Sequence, residues 1–301
     1  MMKIIDAHVH IYERLSGFGP KGEARAIGNG MVEWATGLRE RFLKEGHGDY
    51  GFLAEKLIEL MDEADICHSV ILQGSNYGFQ NSYIAEVVRK YPDRFTGAGT
   101  FDPYALNAKD IFKNLTENLG FKILKFELSE RFGLSGYHPD FSYDALSPYI
   151  SLCEEMGITL VLDLGFINSK AFLPEEVCKI SDNHKKLTLV VAHALFPLYD
   201  GLNEERLRYI KMLKRDNVYF DIANLQAPKG DDEKLRYIRD VIDIVGSDHI
   251  AWGTDCPGVF INYSYKDLVS YITESGIFTN EELSDIMYKT AERIYLKGKT
   301  L

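Results

Sequence analysis

Cysteine is scarce in this chain and never closely paired. The four present, Cys67, Cys153, Cys178 and Cys256, are scattered through 301 residues with no C-x-x-C pair. Such usage points away from a disulfide framework and suits a reduced, cytoplasmic setting. Excess positive charge is lacking too: 34 Lys plus Arg stand against 45 Asp plus Glu, a net charge of −11. That balance argues against nucleic acid or an anionic membrane surface as partner, while a local basic pocket for a small anion stays compatible with it. No apolar run approaches the roughly 18 residues needed to span a bilayer. Met1-Met2-Lys3 leads straight into a strand without the apolar core of a signal peptide. A soluble, cytoplasmic protein is expected.

What is present begins at the amino terminus. In Lys3-Ile-Ile-Asp-Ala-His-Val-His10, Ile4 and Ile5 read as a buried strand that ends on two histidines. Side chains alternate along a strand, so His8 and His10 point the same way and make half of a divalent-metal site. An H-x-H alone is equally compatible with two ordinary histidines, so the rest of the chain decides.

Downstream, short apolar runs alternate with amphipathic segments. The spacing predicts strands over Ser69–Leu72, Phe95–Phe101, Lys122–Leu128, Ile158–Leu164, Leu187–Ala192, Val218–Ile222 and Ile250–Trp252. Helices are expected between them, from Phe52–Ala64 to Asn280–Leu296, with Gly157 as a cap. Strand–helix alternation implies parallel strands with right-handed crossovers. A doubly wound sheet would usually carry a Gly-rich phosphate loop after its first strand. His-x-His stands there instead, and no nucleotide-binding loop is present. The expected fold is an α/β (β/α)8 TIM barrel, one domain over 1–301, with its site at the carboxyl ends of the strands.

Polar residues collect at those ends. Strand four gives Lys125 and Glu127, strand five Asp163, strand six His193, strand seven Asp221 and strand eight Asp255. A lone His or Asp after a strand is usually a loop anchor. Several of them, brought around one axis by a barrel, read as an active site.

These residues resemble a family over nearly the whole chain. Ile5-Asp-Ala-His-Val-His10 looks like the opening signature of the amidohydrolase superfamily. The segments Tyr91-Pro-Asp-Arg-Phe95, Gly136-Tyr-His-Pro-Asp140, Leu189-Val-Val-Ala-His193, Trp252-Gly-Thr-Asp-Cys-Pro257 and Thr290-Ala-Glu-Arg-Ile-Tyr295 are similar to its amidohydrolase-related branch. That branch includes aminocarboxymuconate-semialdehyde decarboxylase-like and resorcylate decarboxylase-like enzymes. The resemblance implies a metal-assisted hydrolase or nonoxidative decarboxylase. It makes His8 and His10 metal ligands, His193 an acid/base or substrate-orienting group, and Asp255 both a ligand and a proton acceptor. Strand five departs from the pattern, because the branch normally has a histidine where this chain has Asp163.

If Asp163 ligates, two carboxylates neutralise the ion, weaken it as a Lewis acid and shift preference from Zn toward Mn. If it does not, three groups hold the ion, or none is bound, as in the superfamily's metal-independent lactonases. The expected reaction is hydrolysis of a C–N or C–O bond in a small substrate by activated water, with Asp255 and His193 as acid/base. The alternatives are decarboxylation at the same site, a metal-free lactonase, and a noncatalytic binding barrel. One divalent ion, Zn or Mn, is the expected cofactor. Substrate contacts are expected from Lys125, His138, Arg39 and Cys256. Asp221 reads as a loop anchor. The charged, Gly-rich insertion at 12–50 carries Arg14, Arg25, Arg39 and Arg41 and reads as a lid or substrate loop suited to a carboxylate. A solvated surface helix at Met31–Lys44 is the other reading. Self-association through the barrel helices is compatible with the pattern.

Overall fold

The computed structural model describes residues 2–19, 21–130, 132–196, 201–225 and 232–297. Its barrel strands are β1 (Ile5–Val9), β2 (His68–Ile71), β3 (Phe95–Gly97) and β4 (Ile123–Glu127). They continue with β5 (Thr159–Asp163), β6 (Leu189–Val191), β7 (Val218–Asp221) and β8 (Ile250–Ala251). β1 to β3 pair in chain order, as do β4 to β8, all parallel. Two seams close the ring. Gly99 N–H donates to Ile123 O at 2.9 Å and Lys125 N–H to Gly99 O at 3.0 Å, joining the β3 and β4 ends. At the other seam Ala7 N–H donates to Trp252 O and His10 N–H to Cys256 O, both at 2.9 Å. The result is the TIM-barrel arrangement.

Alternation along each strand sorts residues between the barrel interior and the helical layer. Ile5, Ala7, Val70, Ile123, Val161 and Val190 fill the interior. Leu124, Phe126, Leu160 and Leu162 face the helices. At the carboxyl ends the interior turns polar: Lys125 and Glu127 follow Ile123 at two-residue spacing, and Asp163 follows Val161. The opposite end is stoppered by the last helical run, where Ala291, Ile294, Tyr295 and Leu296 join the interior cluster. Thr159 Oγ1 fixes it there by donating to Ile294 O at 2.7 Å.

β1 breaks its own alternation. Pairing to β2 runs Ile5↔His68 and Asp6↔Ser69 but Val9↔Ile71, so one extra residue bulges between Asp6 and Val9. Ile5 and Ala7 lie in the interior cluster, yet Val9 lies in the helical layer, so His8 and His10 face the barrel mouth. Room for this turn comes from Gly253, where a Cβ would lie 2.8 Å from that of His8.

The insertion is not a helix. Ser16–Gly19, Gly22–Gly28, Met31–Trp34 and Arg39–Arg41 form an antiparallel four-stranded sheet over the mouth. Gly28, Asn29 and Gly30, with φ of 97°, 52° and 66°, make a tight left-handed turn that glycine and asparagine tolerate. Beyond it, Val32 and Trp34 are buried while Met31 and Glu33 are half-buried, a period of two that no helix would show.

Candidate active site

The strand ends converge on a cavity of about 240 Å³ lined by His10, Lys125, Glu127, Asp163, His193 and Asp255. Phe42, Tyr77, Phe132 and Phe196 add aromatic walls to it. Phe42 comes from the insertion, which therefore contributes directly to the chamber.

Each histidine is aimed by a partner on its far nitrogen. His8 Nδ1–H donates to Asp221 Oδ2 at 3.0 Å, leaving the Nε2 lone pair toward the chamber. His10 Nδ1 lies 3.0 Å from Leu72 O, and a carbonyl can only accept, so Nδ1 carries the proton and Nε2 is again a lone pair. That lone pair faces Asp255 Oδ1 at 2.9 Å, and His8 Nε2 lies 3.7 Å from the same oxygen. Two imidazole lone pairs and a carboxylate oxygen thus point at one another, an arrangement that calls for a cation between them. A proton on His10 would serve, but burial holds His10 below the ordinary histidine range despite its bond to Asp255. Burial and the neighbouring Lys125 ammonium push His8 down to about 4. The ligand atoms of His8, His10 and Asp255 lie within 4.8 Å of one another, as do those of His8, His193 and Asp221. The first group fits a divalent ion, with Asp221 and Leu72 O supplying the outer contacts that orient such ligands.

Lys125 complicates the centre. Its Nζ is buried and donates to His8 Nε2 at 3.2 Å, taking the lone pair an ion would use. Glu127 Oε2 lies 4.0 Å from it.

His193 packs beside that group, its ring centroid 4.8 Å from that of His8, but its two nitrogens are turned to other partners. Its Nδ1 lies 3.0 Å from Ala223 O and its Nε2 3.2 Å from Asp163 Oδ2, so both nitrogens donate and the ring is an imidazolium. Against the downward push of burial, the Asp163 charge and hydrogen bond raise its pKa to about 10. Asp163, which burial alone would raise, is held well below the usual carboxylate range by His193. Glu127 sits opposite Asp163 in the strand register, and burial and that neighbouring carboxylate raise it to about 8. Asp255 is held low by His10 and His193 in spite of burial.

The backbone here is strained. His193, Ala194, Leu195 and Phe196 are successive left-handed residues, with φ of 60°, 42°, 65° and 53°. None is glycine, and the left-handed conformation costs roughly 1–2 kcal/mol per such residue. Asn224 and Asp255, also on the cavity wall, have φ of 57° and 64°. Such strain clusters at active sites and ligand clamps, which makes this chamber the candidate.

Of the residues singled out from the sequence, His8, His10, Lys125, Asp163, His193 and Asp255 come together here. Asp163 contacts His193 and Glu127, not the His8–His10–Asp255 group. Asp221 anchors the loop after β7, accepting from Ala223 N, and also orients His8. Arg39 pairs with Glu33 on the exposed insertion sheet at 2.8 Å. His138 pairs with Asp102 at 2.8 Å and lies outside the cavity lining. Cys256 is wholly buried behind Asp255, its backbone bonded to Thr254 Oγ1. Sequence reasoning missed Tyr77, whose ring leans on His10 with centroids 4.8 Å apart, along with Phe42 and Phe196. Nothing in their spacing distinguishes them from core aromatics.

A family model described as amidohydrolase matches residues 5–297. The chain belongs to that family. It is an amidohydrolase-family enzyme, and the polar ring at the strand ends is where this fold places its chemistry. A search of curated proteins by sequence gives no match. Among solved structures, the amidohydrolase resembles a probable 2-pyrone-4,6-dicarboxylic acid hydrolase from Acinetobacter baumannii with citric acid bound. The identity is 15%, with 97% of this chain and 99% of that one covered at a TM-score of 0.69. It is equally similar to a Burkholderia multivorans amidohydrolase with bound zinc, at 16% identity, 98% and 99% coverage and a TM-score of 0.69. A 5-carboxyvanillate decarboxylase from Sphingomonas paucimobilis matches at 16% identity, 79% and 82% coverage and a TM-score of 0.54. At these identities the likeness is one of fold. Among the described residues, no helix is long and apolar enough to cross a membrane.

Proposed function

We propose that this enzyme hydrolyses a C–O or C–N bond of a small, cyclic or carboxylated substrate, using a divalent ion held by His8, His10 and Asp255. The observation that carries the reading is the meeting of two imidazole lone pairs with a carboxylate oxygen, His10 Nε2 lying 2.9 Å from Asp255 Oδ1. A divalent ion in that position would polarise the substrate carbonyl and acidify the attacking water. Zn and Mn both suit two imidazoles and a carboxylate. The Burkholderia relative's bound zinc favours Zn.

The chain's own groups divide the remaining work. Asp255, ionised and partly exposed, accepts the proton of the attacking water as the new C–O bond forms. His193, protonated on both nitrogens, donates toward the departing oxygen or nitrogen as the scissile bond breaks. Lys125 adds a positive charge beside the oxygen that becomes negative, or pairs with a substrate carboxylate. The cavity of about 240 Å³ suits a substrate of one ring. Lactone hydrolysis is the first activity to try, in line with the hydrolase named for the Acinetobacter relative. The insertion, through Phe42, acts as the lid.

A second reading rests on Lys125. With its ammonium 3.2 Å from His8 Nε2, it supplies a positive charge at one of the three ligand atoms and supports a metal-independent lactonase. The test is a panel of lactones, cyclic amides and hydroxylated benzoates, run with and without a chelator and followed by acid release and by CO2 release. Acid release that chelation abolishes, and that Asp255→Asn loses, is the expected result. Acid release that survives chelation selects the Lys125 reading. CO2 release without acid release overturns hydrolysis in favour of decarboxylation.

A further inference from the structure

The left-handed turn after β6 raises a question that the cavity wall does not answer: what holds it. Four successive non-glycine residues in this conformation are rejected by the backbone itself. Within the turn, one bond closes it, from Phe196 N–H to His193 O at 2.8 Å. The remaining support comes from outside. The Tyr237 hydroxyl, on the helix Asp232–Val245, donates to Ala194 O at 2.7 Å. Arg206 Nε–H, on the helix Asn203–Leu213, donates to Leu195 O at 3.2 Å. Asp221 Oδ1 accepts from His193 N at 2.9 Å. Tyr237 and Arg206 are 2% and 0% exposed, and neither lines the chamber.

A buried tyrosine hydroxyl and one N–H of a buried arginine, which also donates to Asn203 Oδ1 at 3.2 Å, reach successive carbonyls of one strained turn. We propose that Tyr237 and Arg206 are positioning residues that hold the turn left-handed and thereby aim His193 Nε2 at Asp163 and seat Phe196 against the imidazole. The inference rests on His193 acting in the site as proposed above. The geometry follows directly. The turn sets where the His193 Cα–Cβ bond points, Ala223 O fixes Nδ1 at 3.0 Å, and Nε2 reaches Asp163 at 3.2 Å. The Phe196 ring then lies 4.4 Å from the imidazole and 5.2 Å from Phe166, closing that side of the chamber. If either carbonyl is released, the turn can relax to ordinary dihedral angles, and His193 swings away with it.

Glycine offers a discriminating test, because left-handed dihedrals cost it little. In the full chain, uniformly labelled on histidine nitrogen, the His193 side-chain resonances are assigned by difference with His193→Gln. The variants are Tyr237→Phe, which removes only the hydroxyl, and Tyr237→Phe combined with Ala194→Gly. Tyr237→Phe is expected to lose the protected Nε2 proton signal, and the double variant to regain it. This readout needs no substrate, so its failure is separate from failure of the proposed reaction. Once a substrate is known, kcat is expected to fall about tenfold in Tyr237→Phe with little change in KM, and to recover in the double variant, a non-additivity typical of coupled groups. Should Tyr237→Phe not fold, Arg206→Lys with and without Leu195→Gly carries the same comparison. An unchanged His193 signal in a folded single variant would overturn the inference, as would a loss that glycine fails to reverse.

Discussion

Replacing Asp221 by asparagine is the sharpest perturbation of the proposed metal site, because it leaves shape untouched and moves one proton. The carboxylate now serves three donors. Oδ1 accepts from His193 N at 2.9 Å and Ala223 N at 3.1 Å, and Oδ2 accepts from His8 Nδ1–H at 3.0 Å. An asparagine has one acceptor oxygen, and two backbone N–H groups claim it. Its NH2 then faces His8 Nδ1, which must become the acceptor, so the single imidazole proton moves to Nε2. His8 thereby turns an N–H toward the chamber in place of a lone pair, and a ligand is lost without any atom leaving the site. Outer contacts of this kind are worth about 10–100-fold in metal affinity, or about 1.4–2.8 kcal/mol. The assay is titration of metal-free protein with zinc against a chromophoric chelator at neutral pH, with circular dichroism to confirm folding. Unchanged affinity in a folded Asp221→Asn protein would refute the assignment of His8 Nε2 as a ligand.

Three further outcomes follow from named contacts. Lys125→Met removes the ammonium 3.2 Å from His8 Nε2, so zinc should bind more tightly while kcat drops about tenfold or more; unchanged kcat removes Lys125 from the reaction. Asp163→Asn withdraws the charge that lifts His193 to about 10, and the imidazole should titrate nearer its ordinary value of 6.5, as nitrogen NMR would show. Because the folded pKa of His193 is raised and that of Asp163 depressed, the pair's contribution to stability is complete between about pH 4 and 6.5, is lost as pH rises through about 10, and is lost again as pH falls through the depressed Asp163 value. The native protein should therefore lose its advantage over Asp163→Asn both on the alkaline side, as His193 deprotonates, and in strong acid, as the depressed Asp163 carboxylate is protonated; a stability difference that does not change with pH contradicts the pairing. Tyr265→Phe strips the hydroxyl donating to buried Asp6 Oδ2 at 2.6 Å, at a cost of about 1–3 kcal/mol in urea unfolding; a neutral result would mean that Thr254 alone satisfies that oxygen.

Much of the architecture was legible because barrel strands announce themselves as apolar runs separated by amphipathic helices. The runs holding Leu124, Val161 and Val190 are buried on both faces and fall where the spacing put them. The strand-end residues were legible for the same reason: Lys125, Asp163 and His193 interrupt apolar runs at their carboxyl ends. The insertion was not, since Gly28-Asn-Gly30 could be read as part of a loop, and the period-two burial of Val32 and Trp34 spans too few residues to stand out. The bulge in β1 was equally hidden. Alternation correctly placed His8 and His10 on one side, but only pairing with β2 shows that an extra residue turns that side inward. Charge partners lie furthest from sequence. Asp221 and His8 are 213 positions apart, and no local pattern joins them. Arg39 shows the same distance from sequence, since a guanidinium in a lid segment suggested a substrate carboxylate, and its Glu33 partner across the hairpin is visible only in the folded sheet.

One divalent ion held by His8, His10 and Asp255 is what the proposed reaction depends on. Its presence is tested most directly by elemental analysis of protein purified without added metal or chelator, with His10→Ala prepared in parallel. About one equivalent of Zn or Mn per chain is expected, lost in the variant. Metal-free native protein that takes up no divalent ion on reconstitution, yet still turns over a lactone, would contradict it.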